Sequence, residues 1–167
     1  MNDSPSDFYG EPSKDNPGVI AFPPLIWAVS VVLSLLIHFF VASVPMSILP
    51  RVILLAIGIV LFIIAPVLAI SAVRLMKIAG TNVHPSEPTT TIVRGGPYRF
   101  TPNPMYLALT LLQIGVAFLL NDVITLLFAA ALALIFHFGV ILREERYLEA
   151  KFGEEYLVLK RSVRRRI

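Results

Sequence analysis

The sequence contains no cysteine, which excludes disulfide bonds, thiolate metal sites and a cysteine nucleophile. Charged residues are also scarce, at 15% of the 167 residues, whereas hydrophobic residues make up 56% and the mean hydropathy is +0.78. Soluble domains carry about 25% charged residues, so this balance is typical of a protein whose main solvent is lipid. The composition therefore predicts an integral membrane protein.

The N-terminal residues form one of the few polar stretches. Within residues 1–16 four acidic residues stand against one lysine, and the basic start of a secretory signal is lacking. We therefore expect residues 1–21 to form a polar, disordered cytoplasmic tail.

Four stretches without a charged residue mark the predicted membrane helices, because a charge at mid-bilayer costs about 3 kcal/mol. They place apolar helices at residues 22–44, 52–73, 104–120 and 123–142. A crossing needs about 20 apolar residues, so about four crossings leave no room for a separate soluble catalytic domain. Only Asn121 and Asp122 separate the last two helices, which must then form a tight antiparallel hairpin. The predicted fold is an all-α integral membrane bundle over residues 22–142.

Basic residues predict the orientation of the bundle, because arginine and lysine gather on the cytoplasmic side of membrane proteins. Four lie between the second and third helices and eight follow the fourth, against Arg51 alone in the opposite loop. We therefore expect both termini and the connection at residues 77–103 in the cytoplasm. Apolar residues at helical spacing among charges predict a C-terminal amphipathic helix and basic tail over residues 143–167, interrupted or capped at Gly153.

The connection at residues 77–103 is the longest polar stretch within the bundle, and long ordered loops tend to be functional. Hairpin geometry predicts that residues 99–106 lie at the depth of residues 137–144, so Glu144 and Glu145 would lie beside this connection. Two carboxylates next to hydrogen-bond donors and aromatic residues suit a ligand that carries positive charge.

Several motifs follow one another in the second half of the chain. They are Thr90-Thr91-Ile92-Val93, Gly95-Gly96-Pro97-Tyr98-Arg99, Asn103-Pro104-Met105-Tyr106, Glu144-Glu145 and Phe152-Gly153-Glu154-Glu155-Tyr156. In this order and spacing they resemble the isoprenylcysteine carboxyl methyltransferase family and its bacterial relatives, within a broader group that includes phospholipid N-methyltransferases. The resemblance implies a membrane methyltransferase that uses S-adenosyl-L-methionine and acts on a lipophilic acceptor at the cytoplasmic membrane face.

The resemblance also implies which residues bind the cofactor. They are Thr90, Thr91, Ile92, Val93, Tyr98, Asn103, Pro104, Met105, Tyr106 and Glu144. The chain departs from the family pattern at Asn103, where an amide that cannot act as a base near pH 7 replaces a histidine. Some relatives contact the cofactor with a polar residue at the position of Val83. Valine cannot make this contact, so Asn82 or His84 would have to replace it.

Residues of the fourth helix bear on the acceptor. In prenylcysteine-modifying relatives an arginine recognises the substrate carboxylate, and Val140 occupies the corresponding position in this chain. Valine cannot bind a carboxylate. Arg143 points to a different side of the helix from Glu144 and is a poor substitute at this substrate position. We therefore expect a neutral or amine-like acceptor, with Glu145 as the base that would take a proton from an ammonium group.

Three alternatives stay open: a phospholipid head-group N-methyltransferase, an NADPH-dependent enzyme like the sterol reductases, and a non-enzymatic four-helix membrane protein. The sterol reductases have many more crossings than this chain can form. His38 and His137 lack an acidic or histidine partner at i+4, which favours structural over metal-binding roles. The expected partners are membrane lipids and a lipophilic substrate, with no metal and no nucleic acid.

Overall fold

The computed structural model describes residues 17–85 and 87–164. Residues 1–16 of the predicted tail, and the end of the predicted basic tail, lie outside this range. The described residues contain no strand, which confirms the predicted all-helical architecture. They form six α-helices, namely α1 (Pro23–Phe40), α2 (Arg51–Ile78), α3 (Pro104–Leu120), α4 (Val123–Phe136), α5 (Leu142–Phe152) and α6 (Glu154–Arg164).

Two short turns complete the helical structure, one tighter and one wider than an α-helix. A π-helical turn, His137–Ile141, joins α4 to α5 without a break, and a 3-10 turn, Gly96–Arg99, lies in the connection between α2 and α3. The predicted fourth helix is therefore the first part of a longer helical run. As a result, α5 and its Glu144 continue directly from a membrane helix.

The helices fit a multi-pass membrane protein. Within the described part of the chain, three helical runs are long and apolar enough to cross a membrane: Pro23–Phe40, Arg51–Ile78 and Val123–Phe152. The apolar α3 has 17 residues, about 26 Å at 1.5 Å per residue. Large apolar side chains such as Phe39, Phe62 and Leu134 are exposed along the helices, as expected where lipid replaces water.

Local sequence explains where several helices begin and end. Proline is the first residue of α1 and of α3, where a missing N–H costs little. Asn121 ends α3 in the left-handed conformation, at φ 58°, which asparagine tolerates well. The Asp122 side chain then accepts a hydrogen bond from Thr125 N and caps α4. Two consecutive residues thus end one helix and begin the next.

The central helix is α3, which packs against α2, α4 and α1. Gly115 of α3 and Gly58 of α2 are buried where these two helices approach each other. A side chain at residue 58 would meet Leu119, and one at residue 115 would meet the backbone of α2. Small residues allow this close approach in lipid, where the hydrophobic effect does not drive helices together.

The loop between α1 and α2 is fastened to the turn between α3 and α4, and we call this region the far end. Val44 N donates to Asp122 Oδ1 at 2.9 Å, and Met46 N donates to Asn121 Oδ1 at 3.2 Å. Asp122 also accepts from the amide and the hydroxyl of Thr125, and none of its surface is exposed. The far end is therefore a closed polar network.

Two basic residues join the far end. Arg51, predicted on this side of the membrane, donates to the carbonyls of Phe118 and Leu119 in the last turn of α3. His38 Nδ1 lies 3.5 Å from Asp122 Oδ2, so its acidic neighbour comes from the turn and not from its own helix. Arg51 therefore supports the end of α3, where backbone carbonyls lack partners within the helix, and His38 lies beside the residue that caps α4.

Candidate active site

A cavity lies at the opposite end of the bundle, between residues 79–103, the first turns of α3, and helices α5 and α6. It contains about 830 Å³ of space free of protein atoms, including its mouth. Nine of the ten residues that the resemblance assigned to the cofactor line it, namely Thr91, Ile92, Val93, Tyr98, Asn103, Pro104, Met105, Tyr106 and Glu144. The structure therefore brings together residues that are up to 53 positions apart in the sequence.

Thr90, the tenth residue, supports the cavity without lining it. Its N–H donates to Thr81 Oγ1 at 3.1 Å, and its hydroxyl donates to the carbonyl of Gly80 at 2.8 Å. The neighbouring Thr89 N donates to the Tyr147 hydroxyl of α5 at 3.3 Å. These hydrogen bonds join the two sides of the loop and attach it to α5.

The 3-10 turn brings Tyr98 into the cavity wall. Gly96 has φ +52°, and a side chain there would meet Leu75 Cδ1 of α2 at 2.5 Å, so this position requires glycine. The tight turn that follows buries Tyr98, which is 9% exposed. Burial raises the pKa of Tyr98, and the nearby Glu144 carboxylate raises it further. The phenol is therefore neutral and available as a hydrogen-bond donor.

Tyr106 and Glu144 form the direct contact between α3 and α5. The Tyr106 hydroxyl donates to Glu144 Oε1 at 2.5 Å, and the ring packs against Phe136 with 5.4 Å between ring centroids. Within the described residues, this is the one hydrogen bond that the partly buried Glu144 carboxylate accepts. A carboxylate in such surroundings retains capacity for a further donor or a cation.

Helix α6 covers the cavity. It follows α5 after Gly153, whose φ of +52° reverses the chain direction. The sequence predicted that Gly153 interrupts or caps the C-terminal helix. Tyr156 and Leu159 of α6 line the cavity and are almost completely buried. The pKa of Tyr156 is raised by burial and by the acidic residues of α5. An ion pair of Arg94 with Glu155, at 3.0 Å, joins the outer side of α6 to the connection.

Glu145, predicted as a base, lies outside the cavity lining and contacts α6. Its Oε2 lies 2.8 Å from Lys160 Nζ, which also binds Glu149 Oε1 at 2.5 Å. Hydrogen bonds to these two carboxylates raise the pKa of Lys160. The three residues form an ion-pair cluster that fastens α6 to α5.

The two residues considered for the acceptor also lie outside the cavity lining. Val140 is fully buried in a cluster with Tyr106, Leu132 and Phe136, directly beneath the cavity wall. Arg143 is exposed, and its Nη1 donates to the carbonyl of Gly18 at 2.9 Å. Position 140 therefore belongs to the apolar core.

Several residues that line the cavity were not predicted from the sequence. On α5, Tyr147 and Leu148 follow Glu144 at i+3 and i+4 and share its face, which helical spacing could have indicated. Tyr156 and Leu159 were predicted only as part of the amphipathic C-terminal helix, because the chain reversal at Gly153 that brings them to the cavity has no local signal. Thr81 was not predicted at all. Val83 and both suggested substitutes, Asn82 and His84, also line it.

The chemical character of the cavity favours a cation. Four tyrosines, Tyr98, Tyr106, Tyr147 and Tyr156, line it together with Glu144. Aromatic faces attract organic cations, and a partly desolvated carboxylate does so more strongly. Among the described residues, no three histidine or acidic side chains are grouped so as to hold a metal ion.

The fold and the cavity define a helical membrane protein with a cavity at one end of its bundle that is lined by four tyrosines and Glu144. The sequence profile of the phospholipid methyltransferase family matches residues 53–155, more than half of the chain, and the chain belongs to this family. The match confirms the predicted resemblance and makes the protein a membrane methyltransferase. No curated protein and no solved structure matches the chain.

Proposed function

We propose that this protein transfers a methyl group from S-adenosyl-L-methionine to a lipophilic acceptor at the cytoplasmic face of the membrane. The observation that carries the proposal is Glu144, a partly buried carboxylate with one hydrogen-bond donor, surrounded by tyrosines at the end of an apolar bundle. A cationic partner would offset the desolvation of such a carboxylate. The family match supports methyl transfer as the use of this site.

The lining residues fit the chemical groups of this cofactor. Glu144 and the tyrosine rings would hold the ammonium and sulfonium charges. The hydroxyl and backbone groups of residues 91–93 and the amide of Asn103 would bind the ribose and the carboxylate. Ile92, Met105 and Leu159 would contact the adenine. Every group of the cofactor therefore has a partner of suitable chemistry.

The protein contributes alignment and exclusion of water. S-adenosylmethionine supplies, when bound, a methyl group on a sulfonium that is already a good leaving group. Tyr98, Tyr106 and Tyr156 are at most 9% exposed and form walls that keep water out. Positioning and desolvation of this kind can lower a barrier by up to about 10 kcal/mol. An ammonium acceptor must also lose a proton, and Glu145 stays the predicted base although its carboxylate binds Lys160.

Within this proposal, an amine-bearing phospholipid is the favoured acceptor. The family match supports a phospholipid substrate, and the buried Val140 offers no charge to an acceptor carboxylate. A buried anion without a cationic partner would be penalised by several kcal/mol. We expect phosphatidylethanolamine to be methylated and N-acetyl-farnesylcysteine to be a poor substrate in a methyl-transfer assay. Efficient methylation of farnesylcysteine would contradict this assignment.

Calorimetric titration of the detergent-solubilised protein tests the cofactor. We expect S-adenosylhomocysteine to bind and NADPH not to bind. A matched control is Arg161→Gln, which removes an exposed charge of α6 outside the cavity lining and should leave the affinity unchanged. Binding of NADPH, or no binding of S-adenosylhomocysteine to folded protein, would overturn the proposal.

We further propose four crossings with both termini in the cytoplasm. The basic residues of the connection and of the C-terminal segment support this orientation. Because the chain has no cysteine, single replacements can be read without background. Ser47→Cys, in the far-end loop, should react with an impermeant thiol reagent in intact cells, and Ser162→Cys, on α6, should react only after permeabilisation. The reverse pattern would refute the orientation.

A further inference from the structure

The basic side chains around the cavity fall into two groups. Arg94 pairs with Glu155, and Lys160 pairs with Glu145 and Glu149, so these charges are compensated within the protein. Arg143 and Arg146 of α5 have no acidic partner within residues 17–85 and 87–164. Each donates one hydrogen bond to a main-chain carbonyl, from Arg143 Nη1 to Gly18 at 2.9 Å and from Arg146 Nε to Leu142 at 3.1 Å.

These two arginines border a groove beside the cavity. The groove is lined by Pro17, Arg143, Arg146 and Tyr147, and Pro17 and Tyr147 also line the cavity. The arginines are three residues apart and therefore lie on one side of α5. Glu144, between them in sequence, lines the cavity instead. A molecule could thus contact the arginines and Glu144 at once, on either side of Tyr147.

We propose that Arg143 and Arg146 bind the phosphodiester of the acceptor phospholipid and direct its amine toward Glu144. This inference rests on the proposed function. A guanidinium has five N–H donors in a planar fork that matches phosphate oxygens. Within the described part of the chain, each arginine uses one of its donors on a main-chain carbonyl. The order of charges on the protein, two arginines and then a carboxylate, is complementary to the phosphate and the ammonium of an amine-bearing head group.

The position of the arginines along the chain agrees with this role. They lie in the first turns of α5, about 20 residues after α4 begins at Val123, and about 20 helical residues are needed to cross the hydrocarbon. Lipid phosphates lie at this depth in a bilayer, between the hydrocarbon and the water. A phospholipid could therefore bring its phosphate to the groove while its acyl chains stay among lipids.

The test compares two amine lipids in calorimetric titrations with S-adenosylhomocysteine present. One is a short-chain phosphatidylethanolamine, and the other is an alkylamine without a phosphate. The variant Arg143→Gln/Arg146→Gln should bind the phosphatidylethanolamine at least about tenfold more weakly than the wild type, because charge-assisted hydrogen bonds are lost. Its affinity for the alkylamine should not change. The conservative variant Arg143→Lys/Arg146→Lys should retain part of the affinity, since charge is kept and the fork is lost.

The matched control is Arg99→Gln/Arg161→Gln, which removes two exposed arginines outside both linings. If the two arginines serve only membrane orientation, the variant and the wild type will bind the phosphatidylethanolamine equally well. If the control loses as much affinity as the variant, the loss comes from the change in net charge. Either result overturns the inference. Inorganic phosphate that binds as tightly as the lipid would also overturn it, in favour of a free-phosphate site. Unchanged affinity for S-adenosylhomocysteine in every variant separates a failure of this inference from a failure of the proposed function.

Discussion

The two ends of the bundle each hold a carboxylate at a helix junction, in different surroundings. At the far end, Asp122 accepts hydrogen bonds from Val44 N, Thr125 N and Thr125 Oγ1 at 2.7 to 2.9 Å and is fully buried. At the cavity, Glu144 accepts one hydrogen bond, from Tyr106, among the described residues, and the space beside it is open.

The difference indicates what each carboxylate is for. A buried carboxylate with several donors stabilises the fold, whereas one with few donors costs free energy until a ligand completes its surroundings. The far end therefore holds the helices together, whereas Glu144 at the cavity lowers the stability of the fold until a ligand binds. Substitution of Asp122 should then mainly lower stability, and substitution of Glu144 should mainly lower affinity for the ligand.

The largest effect is expected for Asp122→Ala. The substitution removes the cap of α4 and leaves Val44 N and Thr125 N without acceptors, which should lower the free energy of unfolding by about 3 kcal/mol. Thermal unfolding in detergent measures this loss, and Glu154→Gln, an exposed carboxylate of α6, is the control. The remaining folded protein should bind S-adenosylmethionine with unchanged affinity. An unaltered unfolding midpoint would remove the contrast between the ends.

The reverse pattern is expected for Glu144→Gln. Loss of the charge should weaken binding of S-adenosylmethionine by about 1 to 3 kcal/mol, since a charge-assisted contact becomes a neutral one. This corresponds to about 5- to 150-fold in Kd. The unfolding midpoint should change much less than in Asp122→Ala. Calorimetry on folded protein measures the affinity, and an unchanged value would exclude Glu144 from the site.

The smallest effect concerns the ion pair that fastens α6 over the cavity. Glu145→Lys or Lys160→Glu alone should weaken cofactor binding by about 1 kcal/mol, the scale of a partly exposed ion pair. The double charge reversal should restore most of it, because the lysine introduced at position 145 would then face Glu149 and the new acid at position 160. If Glu145 is instead the base, methyl transfer will stay abolished in the double variant although binding recovers.

Much of the cavity could be predicted because it depends on one hairpin. The stretches without a charged residue predict the bounds of α3. The two-residue turn at Asn121 and Asp122 then predicts which residues of the two helices lie at equal depth in the membrane. Counting from that turn pairs residue 106 with residue 137 and residue 99 with residue 144. The hydrogen bond of Tyr106 with Glu144 therefore joins the two predicted ranges but lies seven residues from the counted pairing. The connection contributed through its glycines, of which Gly96 allows the tight approach to α2.

The cover of the cavity could not be predicted in the same way. Helix α6 returns over the site through Gly153, and Lys160 then finds two acidic partners 15 and 11 residues earlier. Such contacts depend on the direction of a chain reversal, which local spacing does not encode. The resemblance separated Glu144, at the cofactor, from Glu145, predicted as the base, but no local spacing indicated that Glu145 would contact Lys160.

The π turn at His137–Ile141 has a consequence for comparing this chain with its relatives. A π turn contains one residue more than the α-helical turn it replaces, and it lets the helices on both sides keep their packing. A relative whose helix lacks the extra residue would carry its cavity carboxylate one position earlier in the count. An ungapped alignment would then set that carboxylate against Arg143 and its neighbour against Glu144. Residue correspondences across this helix therefore require a one-residue gap wherever the turn is absent, before any role is transferred between family members.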